Sequence, residues 1–242
     1  MNDSAKLITV IGRGHSGTRA IALTLQASGV YMGSLLNEST DMLPPDNMYE
    51  ACRVLARYVK HRGGTDWDFS DVLTGEIDPQ FVELVESYLE PVLANHNRFR
   101  GWKLPETTLA YPWIARMFPD VYYIHWYRDP RDSILSGHTT DDLADFGVPY
   151  DPTSDDFERR AISWKYQSEI MDQPVASANV IRVRFEDFVL DQENTLRRLE
   201  EFLGFALARI AVRPESVGRW KTARKDLDFS FLEQDLLKLG YG

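Results

Sequence analysis

The 242-residue chain holds one cysteine, Cys52, so it can build neither an intramolecular disulfide nor a cysteine-based zinc site. That lone thiol fits a reducing compartment. No stretch approaches the roughly 20 apolar residues of a membrane span, and Met1-Asn2-Asp3-Ser4 lacks the basic-then-apolar profile of a signal peptide. A cytoplasmic protein is the expectation. Positive charge is scarce too: 27 Lys and Arg face 37 Asp and Glu, a net −10, which argues against a nucleic-acid partner. Repeats, low-complexity tracts and convincing linkers are missing. What remains, 43% hydrophobic and 26% charged, is a globular composition with a sizeable core, expected as one domain over residues 1–242.

Hydrophobic patterning supplies the order of elements. Residues 7–11 are a β-branched strand run, followed by a Gly-rich segment and an Ala/Leu-rich helix at 20–28 closed by Gly29. Residues 30–46 read as irregular, 47–61 as helix, 62–75 as loop and 79–97 as a long amphipathic helix with Pro79 in its first turn. Strand runs at 99–104, 121–127 and 180–185 alternate with helices at 107–117, 155–171 and 193–203. Helix-separated strands pair in parallel, so the expectation is α/β, a three-layer parallel sheet with helices on both faces. The Asp-, Gly- and Pro-bearing loop at 139–153 reads as a mobile lid.

Gly12-Arg13-Gly14-His15-Ser16-Gly17-Thr18-Arg19 lies between a predicted strand and a predicted helix, where backbone N–H groups and the helix N-terminus gather around an anion. The nucleoside-triphosphate motif G-x-x-x-x-G-K-[ST] is met only in its glycines. Thr18 takes the lysine position, and Arg19 stands where a hydroxyl would hold magnesium. A magnesium-dependent P-loop kinase or phosphotransferase is therefore the alternative reading, together with a non-catalytic nucleotide-binding module.

Gly14 to Thr18 resembles the 5′-phosphosulfate loop of the sulfotransferases, in which a basic residue precedes Ser-Gly-Thr; here that residue is His15. The resemblance implies a P-loop NTPase-like fold and 3′-phosphoadenosine 5′-phosphosulfate (PAPS) as sulfonate donor, with no metal. Either Arg13 or Arg19 would add permanent charge to the loop. The strand-to-turn segment from Tyr123 to Ser136 resembles the family's 3′-phosphate motif, with Arg128 and Ser136 eight residues apart as its ligands. A guanidinium fork matches phosphate oxygens. Read without the resemblance, Arg128 and Arg131 pair with Asp129 and Asp132. The block from Arg182 to Val189 followed by Phe202-Leu203-Gly204 resembles the family's Y-E-D-L…F-L-G pattern and puts Phe185 near the adenine. Val217-Gly218-Arg219-Trp220-Lys221 resembles its G-x-W-K segment, with Arg213 and Gly218 as donor ligands.

Lys103, at the end of a strand parallel to the first, takes the place of the family's lysine on the transferring sulfonate, and His15 of the loop is counted with it among the catalytic residues. The histidine base of many members is replaced by Pro105. The acceptor's proton then goes to Glu38, preferred for its place beyond the first helix, or to Glu106, with Asp41 and His138 behind them. The acceptor, a small molecule or glycan, is expected against aromatic and acidic residues of 42–71 and 139–156.

Overall fold

The computed structural model of the chain describes residues 5–175, 177, 179–223 and 228–241; residues 1–4, weighed above against a signal peptide, lie outside them. In chain order the elements are β1 (Lys6–Ile11), α1 (Thr18–Ala27), α2 (Asp46–Ala56), β2 (Lys60–Gly63), β3 (Asp66–Asp68), α3 (Ser70–Thr74), α4 (Pro79–Leu93), β4 (Phe99–Lys103) and α5 (Thr107–Met117). There follow β5 (Tyr122–Tyr127), α6 (Pro130–Ser133), α7 (Asp156–Asp172), β6 (Val180–Arg184), α8 (Phe185–Leu190), α9 (Gln192–Leu203), α10 (Trp220–Ala223) and α11 (Glu233–Leu239).

Alternation along β1 sends Ile8 and Val10 into one apolar cluster and Leu7 and Ile11 into another. A strand buried on both faces belongs inside a parallel sheet. β1 lies there, in the order β4-β1-β5-β6, with every pairing parallel. One face is covered by α2, α4, α5 and α7 around Trp102, Trp113 and Tyr123. The other is covered by α1, α8 and α9 around Ile124, Phe188 and Leu199. The result is one α/β domain in three layers. The register sets Lys103 opposite Val10 and His125 opposite Ile11, so the ends of β4 and β5 flank the start of the loop at Gly12.

Four expectations are corrected. The helix expected over 47–61 stops at Ala56, and His61 pairs with Trp67 in the β2–β3 hairpin, inside what reads as loop. Gly63 closes β2 opposite Asp66 around the two-residue turn Gly64-Thr65, and the positive φ of both glycines is a hairpin signal that outweighs helical periodicity. α6 spans four residues, so Ser136 lies beyond its end and not on a continuing helix. The segment expected as a mobile lid is packed instead: 3₁₀ turns at Thr139–Asp141 and Leu143–Phe146 bury Leu143, Phe146 and Val148 in the core. No helix among the described residues is long and apolar enough to cross a membrane.

Candidate active site

The Gly12–Arg19 loop is tied from several sides. The Gly12 N–H donates to Thr108 Oγ1 at 3.0 Å, and Trp126 Nε1 donates to the Ser16 carbonyl at 3.0 Å. The buried Ser16 hydroxyl turns inward to the Arg13 carbonyl, and Thr18 is buried as well. Gly17 caps α1 at φ 89°, and no side chain hydrogen-bonds to that helix end. The Ala20 N–H turns back to the Gly17 carbonyl at 3.0 Å, which leaves the amides ahead of it, at Thr18 and Arg19, to meet an anion. A Cβ at Gly17 would stand 2.4 Å from the Phe185 ring, and one at Gly14 would strike the His138 ring. Only glycine lets these two rings close on the loop.

Arg13 does not face a ligand. Its buried guanidinium forks onto Asp141 and also donates to the carbonyls of Gly14, Ser133 and Ser136. The expectation that it supplies free charge to the loop is corrected: burial made a counterion necessary, and Asp141 is that counterion. Of the two loop arginines, Arg19 is the exposed one. His15 sits at φ 60°, its ring 5.5 Å from that of His138. Desolvation and then the charge of Arg13 hold the pKa of His15 below the ordinary histidine value, so it is neutral at pH 7.

Arg128, buried at the end of β5, donates through Nη1 to the His15 carbonyl at 3.0 Å and through Nη2 to the Ser216 carbonyl. Its guanidinium lies 4.7 Å above the Phe185 ring centroid, and its Nε has no partner. The pairing read without the resemblance is also present: Arg128 reaches Asp132 at 3.3 Å, and Arg131 reaches Asp129 at 2.8 Å. The Ser136 carbonyl accepts from Arg13, and its half-buried side chain stands in the turn beyond α6. The small cavity that Arg128 lines also holds the buried Ser133 hydroxyl, which has no hydrogen-bond partner. Gly218 donates its N–H to Asp132 at 2.8 Å, and so does Trp220, so Gly218 acts here as a tie between segments. Gly17, Arg19, Phe185, Arg213 and Ser216 meet around one cleft of about 400 Å³.

Lys103 is 1% exposed, and its Nζ donates to Asp41 and to the Ser39 carbonyl, each at 2.5 Å. Desolvation lowers the Lys103 pKa, against the pull of Asp41. Asp41 belongs to a turn built on Asn37, whose Oδ1 accepts from the N–H groups of Ser39 and Asp41 and whose amide donates to the Asp41 carboxylate. Glu38 is exposed on the same turn. Glu106, at the N-cap of α5, is 2% exposed, and its Oε2 has no hydrogen-bond partner. Desolvation, reinforced by the charge of Asp41, raises its pKa to about 7, with Tyr49 and Lys103 opposing. Of the two carboxylates expected as the base, Glu38 thus lies on the surface, while Glu106 is buried with a raised proton affinity. His138 is engaged through Nδ1 with Thr140, and burial drives its pKa down to about 4.

Sequence reading missed three working partners: Asp41 as the lysine's counterion, Asp132 as the tie to residues 216–220, and Asp141 beneath Arg13. None of the three has a local pattern, since each meets a residue far along the chain or across a turn. On the far side of His15 a second cleft, of about 440 Å³, carries Asp142, Asp145, Arg159 and Arg160. Among the described residues no group of three His, Cys, Asp or Glu side chains is arranged to hold a metal.

The family model described as "Sulfotransferase family" matches residues 8–209. No curated protein matches the sequence. Among solved structures, the sulfotransferase domain from the curacin biosynthetic pathway superposes with a TM-score of 0.59 at 14% identity, covering 98% of each chain. The sulfotransferase domain from the Synechococcus PCC 7002 olefin synthase gives 0.57 at 13% identity, covering 100% of this chain and 96% of that one. At such identities the likeness is one of fold, and the fold is the P-loop-like one expected from the loop.

Proposed function

The chain belongs to the sulfotransferase family, and on that premise we propose that it is an enzyme moving a sulfonate group from PAPS to the hydroxyl or amine of a small-molecule or glycan acceptor. The observation that carries the reading is the direct bond from Arg128 to the loop at His15, with Phe185 packed against both. It makes one continuous surface of the two segments that would grip the two phosphates of one nucleotide. The loop amides and Arg19 would hold the 5′ end, Arg128 the 3′-phosphate, and the cleft between Phe185 and Arg213 the base. The unpartnered Nε of the buried Arg128 supports such an occupant.

In transfer, the bond from sulfur to the 5′-phosphate oxygen breaks while the acceptor oxygen or nitrogen bonds to sulfur. The electron pair of the broken bond stays on the phosphate, giving the 3′,5′-bisphosphate product. Lys103, released from Asp41 by the incoming anion, stabilises that developing charge. The acceptor's proton goes to Glu106, whose raised pKa suits a base working near neutrality. Neutral His15 hydrogen-bonds the donor and gains a proton only as the anion raises its pKa.

The test is thermal unfolding with adenosine 3′,5′-bisphosphate in the absence of magnesium, followed by transfer of labelled sulfonate from PAPS to an acceptor panel. A ligand bound to the native state raises the midpoint. A larger rise with ATP and magnesium would favour a phosphotransferase, and binding without transfer a non-catalytic module.

A further inference from the structure

The turn after Arg128 is held by a closed circuit of hydrogen bonds that reaches outside the family match. Glu186, at the start of α8, accepts the Asp129 N–H on Oε1 at 2.9 Å and the Tyr241 hydroxyl on Oε2 at 2.8 Å. The Tyr241 carbonyl accepts from Arg131 Nη2 at 2.9 Å, and Arg131 forks back onto the Asp129 carboxylate. Arg184 lies 4.2 Å over the Tyr241 ring. Glu186 and Tyr241 are both buried. A buried carboxylate is stable only while its oxygens are supplied with donors. Glu186 has two, one from the residue that follows Arg128 and one from Tyr241, which lies beyond residue 209.

We propose that Tyr241 is a positioning residue for the donor site: through Glu186 it holds the Asp129–Asp132 turn so that Arg128 presents its guanidinium to the 3′-phosphate. This rests on the donor reading above. Removing the hydroxyl leaves Glu186 Oε2 short of a donor, the carboxylate shifts, and the amide it anchors moves with it, one residue from Arg128. Tyr241 touches no ligand itself. Its effect is confined to the affinity for groups that Arg128 meets.

The experiment measures the Kd of adenosine 3′,5′-bisphosphate by calorimetry, beside ligand-free thermal midpoints, for wild type, Tyr241→Phe, Glu186→Gln, the double variant and Asp235→Asn. Tyr241→Phe keeps the ring against Arg184 and should raise Kd about fivefold, the worth of one hydrogen bond to a charged group partly transmitted. Glu186→Gln should act alike, and the double variant should add little, because both remove one connection. Asp235→Asn breaks the 2.7 Å pair that docks α11 on Lys165 and should lower the midpoint with Kd within about twofold of wild type. A Tyr241→Phe Kd equal to wild type overturns the inference while leaving the donor reading intact. So does an equal rise in Asp235→Asn, which would make the effect one of helix docking. Failure of the wild type to bind the bisphosphate overturns both.

Discussion

Arg128 Nη1 meets the His15 carbonyl oxygen at 3.0 Å, across 113 residues of chain. The contact joins the turn after β5 to the loop after β1, neighbouring strands of one parallel sheet, at the edge where such folds bind ligands. It also spends part of the guanidinium on the protein itself, leaving Nε as the group without a partner.

Arg128→Ala should therefore fail in two ways. Bisphosphate affinity should fall at least about tenfold with the loss of a charged fork. The fold should lose about 1–3 kcal/mol because the carbonyls of His15 and Ser216 lose their donor. Calorimetry and thermal melts of the same samples read the two effects, and unchanged affinity would remove Arg128 from the donor site.

Lys103→Ala should lower kcat by about a hundredfold, typical for removing one group aimed at developing charge, with donor KM changed far less. Steady-state kinetics on any accepted acceptor decides it. A pure KM effect would make Lys103 a binding residue only.

For Glu106 the rate prediction follows from its basicity. The base must be ionised, so kcat/KM should rise with pH and level off above about 7. Glu106→Gln should cost about 10²–10⁴ in kcat/KM and abolish that inflection. A variant that keeps both rate and inflection would return the base to another group.

The same carboxyl makes a stability prediction of definite sign. Its folded pKa lies above the ordinary carboxylate value, so the folded state holds the proton more tightly. That stabilisation is present below about pH 4.5 and is lost as pH rises through about 7, amounting to about 3 kcal/mol if ionisation is complete. Glu106→Gln should thus gain stability relative to wild type between pH 5 and 8. Taking the difference from wild type matters, since Glu169, also raised to about 7 by burial, titrates in the same window. Denaturant melts at pH 5 and 8 supply it, and a pH-independent difference would mean Glu106 is ionised throughout.

Asp141→Ala should destabilise the protein by about 3–5 kcal/mol, the cost of leaving the buried Arg13 guanidinium uncompensated. Asp141→Asn keeps the shape and should recover part of that loss. A midpoint unchanged in Asp141→Ala would show that Arg13 finds water or another partner.

The sheet was legible in sequence because each of its four strands is a β-branched or aromatic run bounded by loop residues, and the loop because its glycines follow the first of them. Helix α4 was legible from Pro79 and its apolar stripe. Burial was not. Glu38 and Asp41 sit on one turn, three residues apart, yet only Asp41 faces Lys103, because the Asn37 side chain winds the turn that way. Glu106 looked like any surface acid until α5 and the Tyr49 phenol closed over it. The hairpin at 60–68 was hidden by helical spacing, and the shortness of α6 by a motif whose eight-residue interval runs past its end.

The pairing of Arg13 with Asp141 has a consequence for anyone who would move this loop to another scaffold. Gly12 to Arg19 is not a portable cassette: one of its eight residues finds its counter-charge 128 positions away, in a segment that is itself welded to the interior. A graft that takes the glycines and leaves the aspartate behind imports an orphan cation into the heart of its host.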